Sequence, residues 1–145
     1  MLIKLIKNKY SLLSLTVISL FLLVGCVDQV EAPSIKLSET FLDLGNINPD
    51  EGLRIEEFYV QNTGSKNLEI YSVSTSCGCT KAEVDDEIIS LGETTKLTVT
   101  YDPSIHPDLI GKMERVVYVK SNDPKNEEVE LTLVGNSLPS SNVDK

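Results

Sequence analysis

Beyond residue 34, apolar and polar side chains alternate with a period of two, and Gly, Pro, Asn and Asp punctuate the runs. Successive side chains of a strand point to opposite faces, so this pattern marks strands with one face in a core and one in water. Ile35 and Leu37 alternate, and Phe41 to Leu44 follow. Asn48-Pro49-Asp50-Glu51-Gly52 predicts a turn. Arg54 to Gln61 places Phe58 and Val60 on one face, and Asn62-Thr63-Gly64-Ser65 turns again. Leu68, Ile70 and Val73 lead into Ser74-Thr75-Ser76-Cys77-Gly78-Cys79-Thr80. Ile88-Ile89 precedes a turn at Leu91-Gly92-Glu93. Lys96 to Tyr101 alternates cleanly and is stopped by Asp102-Pro103. Met113 to Lys120 is β-branched and aromatic, Ser121-Asn122-Asp123-Pro124 turns, and Val129, Leu131 and Leu133 alternate up to Gly135. Seven or eight short strands, roughly 8 to 14 residues apart, with no helical period between them, predict a single antiparallel β-sandwich or barrel. Without tryptophan the core must be mostly Val, Ile and Leu, which suits a compact domain and not one built around a large ligand cavity.

The N-terminal segment has a different pattern. Lys4, Lys7 and Lys9 precede an apolar run, SLLSLTVISLFLLV, over residues 11–24. A basic start, a short apolar stretch and a small residue before the cut describe a secretory signal peptide over residues 1–25. The run is shorter than the roughly 20 apolar residues a spanning helix requires. Leu23-Val24-Gly25-Cys26 resembles the lipobox of bacterial lipoproteins. That resemblance implies a lipid on Cys26, which would become the first residue of the mature chain and hold it on a bilayer without crossing it. Residues 26–33 then form a tether, 34–137 the sandwich and 138–145 a flexible tail. The expected location is extracytoplasmic, facing the periplasm or the cell surface.

Processing changes the charge. Residues 1–25 hold three lysines and no acid, so the remaining chain has 10 basic and 22 acidic side chains, a net charge of −12. A nucleic-acid partner requires a basic face, which this composition does not offer. The acidic cluster of Glu83, Asp85, Asp86 and Glu87 reads as a solvated loop, because it lacks the spacing of a calcium loop.

With Cys26 assigned to lipid, Cys77 and Cys79 are the two remaining cysteines, in a compartment where disulfides persist. Residues i and i+2 of an extended strand lie about 6.6 Å apart, at the edge of the range that a disulfide spans. Gly78 is able to take positive φ and bring the sulfurs together. The ring would be small, reducible and a weak staple. A structural zinc site needs four ligands, whereas the chain has two thiols here and one imidazole, His106, 27 residues beyond Cys79. His106 reads as a solvated loop residue, and no metal site is expected. Cu(I) binding by the two thiolates, and dithiol exchange, remain as alternatives.

The order Gln61-Asn62-Thr63-Gly64, Leu68-Glu69-Ile70, Ser76-Cys77-Gly78-Cys79-Thr80, Leu91-Gly92-Glu93, Val99-Thr100-Tyr101-Asp102, Gly111, Ser121-Asn122-Asp123-Pro124, Leu133-Val134-Gly135 resembles the bacterial extracytoplasmic family called domain of unknown function 1573. The resemblance covers roughly residues 38–136, with Ser-Cys-Gly-Cys-Thr as its most specific element. It implies an Ig-like β-sandwich, often carried on lipoproteins, and supplies no reaction. No catalytic set and no cofactor motif stand out. The expected function is therefore non-catalytic: a lipid-anchored envelope module that binds or scaffolds another envelope protein. The alternative is a thiol function of Cys77 and Cys79.

Overall fold

A computed structural model describes residues 31–141. The expected signal peptide and Cys26 lie outside the described residues. Nine strands are formed among the described residues: β1 (Ile35–Leu37), β2 (Phe41–Ile47), β3 (Arg54–Asn62), β4 (Leu68–Thr75), β5 (Thr80–Val84), β6 (Ile88–Ile89), β7 (Thr94–Tyr101), β8 (Gly111–Ser121) and β9 (Glu128–Ser137). They make two sheets, ordered β1-β3-β7-β5 and β2-β9-β8-β4-β6.

Alternation sets the inward faces. On β7, Thr95, Leu97, Val99 and Tyr101 are buried, and their neighbours are half-buried or exposed. Phe58, Val60 and Asn62 do the same on β3, and Met113, Val117, Val119 and Ser121 on β8. Leu68, Leu97, Val117 and Leu131 are fully enclosed at the centre. Burial of apolar surface between the sheets is the main force that holds them together.

The structure departs from sequence expectation at three places. First, β2 pairs with β9 in parallel, whereas every other pairing is antiparallel. A register shift between Asp43 and Asn46 accompanies it, at Gly45, whose φ of 66° suits glycine. Second, β5 is a strand where a loop was expected: Glu83 pairs with Thr98 of β7. As an edge strand it buries little, so Lys81 and Glu83 obscure the alternation of Ala82 and Val84. Third, Gly78 is not among the glycines with positive φ. The Cys77–Cys79 turn is made in ordinary backbone instead.

The two ends of the sandwich differ. At one end, turn residues lock the chain. Asn62, fully buried, donates from Nδ2 to the carbonyls of Lys66 and Ile89 (2.7 and 2.9 Å), and its Oδ1 accepts from the Gly64 amide (3.0 Å). Asp123, 1% exposed, accepts from the amides of Ile35 (2.9 Å), Lys125 (2.8 Å) and Asn126 (3.2 Å). Asn122 accepts from the Glu69 amide and donates to the Asn67 carbonyl. A Cβ on Gly64 would collide with the backbone of Ala32 to Ser34, so glycine is required by close approach. At the other end, the Leu138 amide bonds the Ile47 carbonyl, and Ser140 and Ser141 bond Asp50.

Candidate functional site: a Cys-Gly-Cys turn between two sheets

Cys77 and Cys79 lie where the chain leaves β4 in one sheet and enters β5 in the other. This is the end of the sandwich opposite the Asn62 and Asp123 locks, since Thr75 pairs with Val117 while Ile70 pairs with Ser121. The Thr80 amide donates to the Cys77 carbonyl at 3.0 Å and closes a tight turn. Several bonds hold that turn in place. The Thr75 hydroxyl lies 3.0 and 2.9 Å from the carbonyl oxygens of Cys77 and Thr80. The Ser76 amide donates to the Val116 carbonyl, and the Val116 amide donates to Ser76 Oγ, both at 2.9 Å. The Asp102 amide donates to the Cys79 carbonyl at 2.8 Å. The turn is therefore fastened both to β8 and to the end of β7.

The Cα atoms of the two cysteines are 5.2 Å apart, inside the range for a disulfide, and the sulfurs are at bonding distance. The two sulfurs sit in different surroundings. Cys79 is 2% exposed, and Arg115 Nε of β8 donates to its Sγ at 3.1 Å. Cys77 is half-buried, and its Sγ lies 3.8 Å from Nε2 of the exposed His106. A Cβ on Gly78 would meet nothing within 4 Å, so the space over the turn is open.

Arg115 is held from behind. Its guanidinium carbon stands 5.9 Å from the centre of the Tyr101 ring, a cation–π arrangement, and Nη1 donates to the Glu114 carbonyl. Burial raises the Tyr101 phenol above its ordinary value, and the adjacent Arg115 works in the opposite direction. No carboxylate among the described residues pairs with Arg115, so its charge faces Cys79 and Tyr101 without a counter-ion. His106 arrives from the β7–β8 connection, which also crosses between the sheets. Asp102 starts that connection by capping the short 3-10 turn Pro103–Ile105, accepting from Ser104 N at 3.0 Å.

Two sheet crossings thus meet at one end of the domain, and they assemble a group that sequence reasoning separated. The expected pair, Cys77 and Cys79, is together. His106 is exposed, as expected of a loop residue, but it stands against Cys77 instead of apart from it. The sequence carries no local signal for this, because the two lie 29 positions apart. Arg115 was missed altogether, having no motif of its own. Asp85 and Asp86 do not join the group formed by Cys77, Cys79 and His106.

Sandwich topology and a cysteine pair at a sheet crossing define an Ig-like β domain with two bridged cysteines at one end. More particularly, the chain belongs to the family described as protein of unknown function DUF1573, whose sequence model matches residues 35–137. No curated protein sequence matches it. Among solved structures, a protein of unknown function from Porphyromonas gingivalis W83 is similar, with a TM-score of 0.66 at 20% identity over 79% of this chain. The chain spans 51% of that protein's length. The ASH/PapD-like domain 7 of human CEP192 is similar with a TM-score of 0.57 at 11% identity, covering 82% of this chain and 95% of that one. The secreted serine protease VesC from Vibrio cholerae is similar with a TM-score of 0.53 at 15% identity, over 77% of this chain and 24% of that one. At these identities the likeness is one of fold.

Proposed function

We propose that the chain is a lipid-anchored β-sandwich of the bacterial envelope whose Cys77–Cys79 pair undergoes thiol–disulfide exchange with a partner protein. The anchor, through acylated Cys26, and the extracytoplasmic location rest on the lipobox resemblance. The observation that carries the exchange is the asymmetry of the pair: a half-exposed sulfur beside an imidazole and a buried sulfur beside a guanidinium. A neighbouring guanidinium favours the thiolate form of Cys79 and so makes it a better leaving group.

The step follows from that placement. A thiolate of the partner attacks Cys77 Sγ, the accessible atom. The Sγ–Sγ bond breaks, and its electron pair leaves on Cys79 Sγ, beside Arg115. A second partner thiolate then attacks its own sulfur in the mixed disulfide. Cys77 departs as a thiolate next to His106. The partner loses two electrons and the pair gains them. From sequence alone a non-catalytic scaffold is the first choice; the positions of His106 and Arg115 favour the thiol function over it.

The test is equilibration of the full chain in glutathione buffers, followed by acid quenching and alkylation. The pair is expected to titrate above the range of about −300 mV and below that is typical of structural bridges. Arg115→Leu removes a group that favours the reduced state, so the potential should fall by about 30 mV, a tenfold change in the equilibrium. Cys79→Ser should trap glutathione on Cys77, whereas Cys77→Ser leaves a shielded thiol. A bridge that resists the whole glutathione range, or glutathione found on Cys79 instead of Cys77, defeats the exchange reading and leaves the scaffold.

A further inference from the structure

We infer that, once reduced, Cys77 Sγ, Cys79 Sγ and His106 Nε2 form a three-ligand site for a soft monovalent ion, Cu(I). The inference rests on the exchange reading only in that the bridge must open.

The three ligand atoms lie within 4.8 Å of one another. They come from two separate sheet crossings, so the fold and not local spacing brings the imidazole to the thiols. Both crossings are fastened where they need to be: Cys79 by the Asp102 amide on its carbonyl, and the His106 loop by the Asp102 cap and the Leu109 amide on the His106 carbonyl. A ligand set held in this way loses little freedom on closing around an ion.

Charge and hardness choose the ion. Two thiolates and one imidazole are soft or borderline donors that suit Cu(I), whereas Ca²⁺ and Mg²⁺ require oxygen ligands. A structural zinc site takes four protein ligands, and no fourth His, Cys, Asp or Glu joins this group among the described residues. Arg115 adds a second discrimination. A monovalent ion with two thiolates carries one negative charge, which the guanidinium beside Cys79 offsets. A divalent ion would leave the cluster neutral and the guanidinium without a counter-charge. The exposure of His106 and the half-buried position of Cys77 give the ion a route from solvent.

The bridge and the ion exclude each other, since a disulfide sulfur is not a thiolate ligand. Two electrons from a dithiol open the bridge; Cu(I) then binds with no change of oxidation state and displaces the remaining thiol protons. Exchange with a partner disulfide, which takes the two electrons and becomes a dithiol, re-forms the Cys77–Cys79 bridge and releases the ion. The site is therefore redox-gated, able to load copper only in its reduced form.

The experiment uses the full chain in detergent, reduced with a phosphine, desalted under nitrogen and checked to hold two free thiols besides Cys26. It is titrated with Cu(I) against bicinchoninate, a coloured Cu(I) chelator. The reduced chain should withdraw one equivalent from the chelator, and the same chain with its bridge intact should withdraw none. His106→Ala should weaken binding at least tenfold at unchanged stoichiometry. The inference is overturned if the reduced chain leaves all the copper with the chelator, if His106→Ala binds as tightly as the parent, or if equimolar Zn(II) displaces the copper. Because a chemical reductant opens the bridge, copper binding can succeed where exchange with glutathione fails, and the reverse.

Discussion

At the scale of single residues, this domain depends on a few polar side chains where an all-β core invites apolar ones. Asp123 is the clearest. Burial works against its charge, yet the amides of Lys125, Ile35 and Asn126 and the Asn126 side chain outweigh that and hold the carboxyl below its ordinary value of 3.8. The sign follows. A carboxyl that is more acidic in the folded state stabilises the fold fully above the unfolded value, and this contribution disappears as pH falls through the folded value. The stability supplied by Asp123 should therefore be constant near neutrality and fade below pH 3.8. Asp123→Ala orphans the buried Ile35 amide and frees the part-buried amides of Lys125 and Asn126, and should cost about 1–3 kcal/mol at pH 7. Urea midpoints of parent and variant, followed downward from pH 7, should converge in acid. A gap that stays constant down to pH 2 means that the carboxylate charge does not supply the stability. Asn62, satisfied by four backbone groups, is a neutral counterpart. Both residues stand in the turns whose Asn-Thr-Gly and Asn-Asp-Pro stretches are visible in the sequence. What the stretches do not reveal is that they tie distant strands: Asp123 reaches Ile35 across 88 residues.

At the scale of elements, legibility follows burial. β7, β8 and β9 bury one face deeply, so their apolar residues must alternate, and the pattern is readable. β5 is an edge, with Lys81 and Glu83 outward, the polar Thr80 buried and Ala82 and Val84 only partly covered, so its chemistry looks like that of a loop. The parallel partner of β2 is unreadable for a different reason: pairing direction depends on where a chain returns, and alternation is the same either way. The same limit applies to the site. Cys77-Gly78-Cys79 is plain in the sequence, but the elements that bring His106 and Arg115 to it are not. The Cys77–Cys79 turn also separates element stability from site chemistry. A bridge that closes a three-residue ring removes little freedom from the unfolded chain, roughly 1 to 2 kcal/mol. Emptying the centre of β9 is worse: Leu131 is 0% exposed, and Leu131→Ala should cost about 2–5 kcal/mol. Denaturation in urea should rank Leu131→Ala well below the Cys77→Ala/Cys79→Ala double variant. If the double variant unfolds as readily as Leu131→Ala, the pair is a staple, and the purpose assigned to it is wrong.

At the scale of the whole molecule, the domain is polarised. One end carries the Asn62, Asn122 and Asp123 locks and receives the chain at Ala32 to Ile35. The other end carries the two sheet crossings and the cysteines. Charge sharpens the test of the proposed lipid anchor. Without residues 1–25 the chain carries a net charge of −12, which disfavours close binding of its body to anionic lipid. Membrane attachment should accordingly depend on Cys26 almost entirely. Expressed in a bacterium with a labelled fatty acid, the full chain should take up label and stay with membranes through salt and carbonate washes. Cys26→Ser should take up none and partition into the soluble fraction at low and high salt alike. If Cys26→Ser remains on membranes and resists both washes, the apolar run of residues 11–24 is itself the anchor, and Cys26 joins Cys77 and Cys79 as a third thiol to be explained.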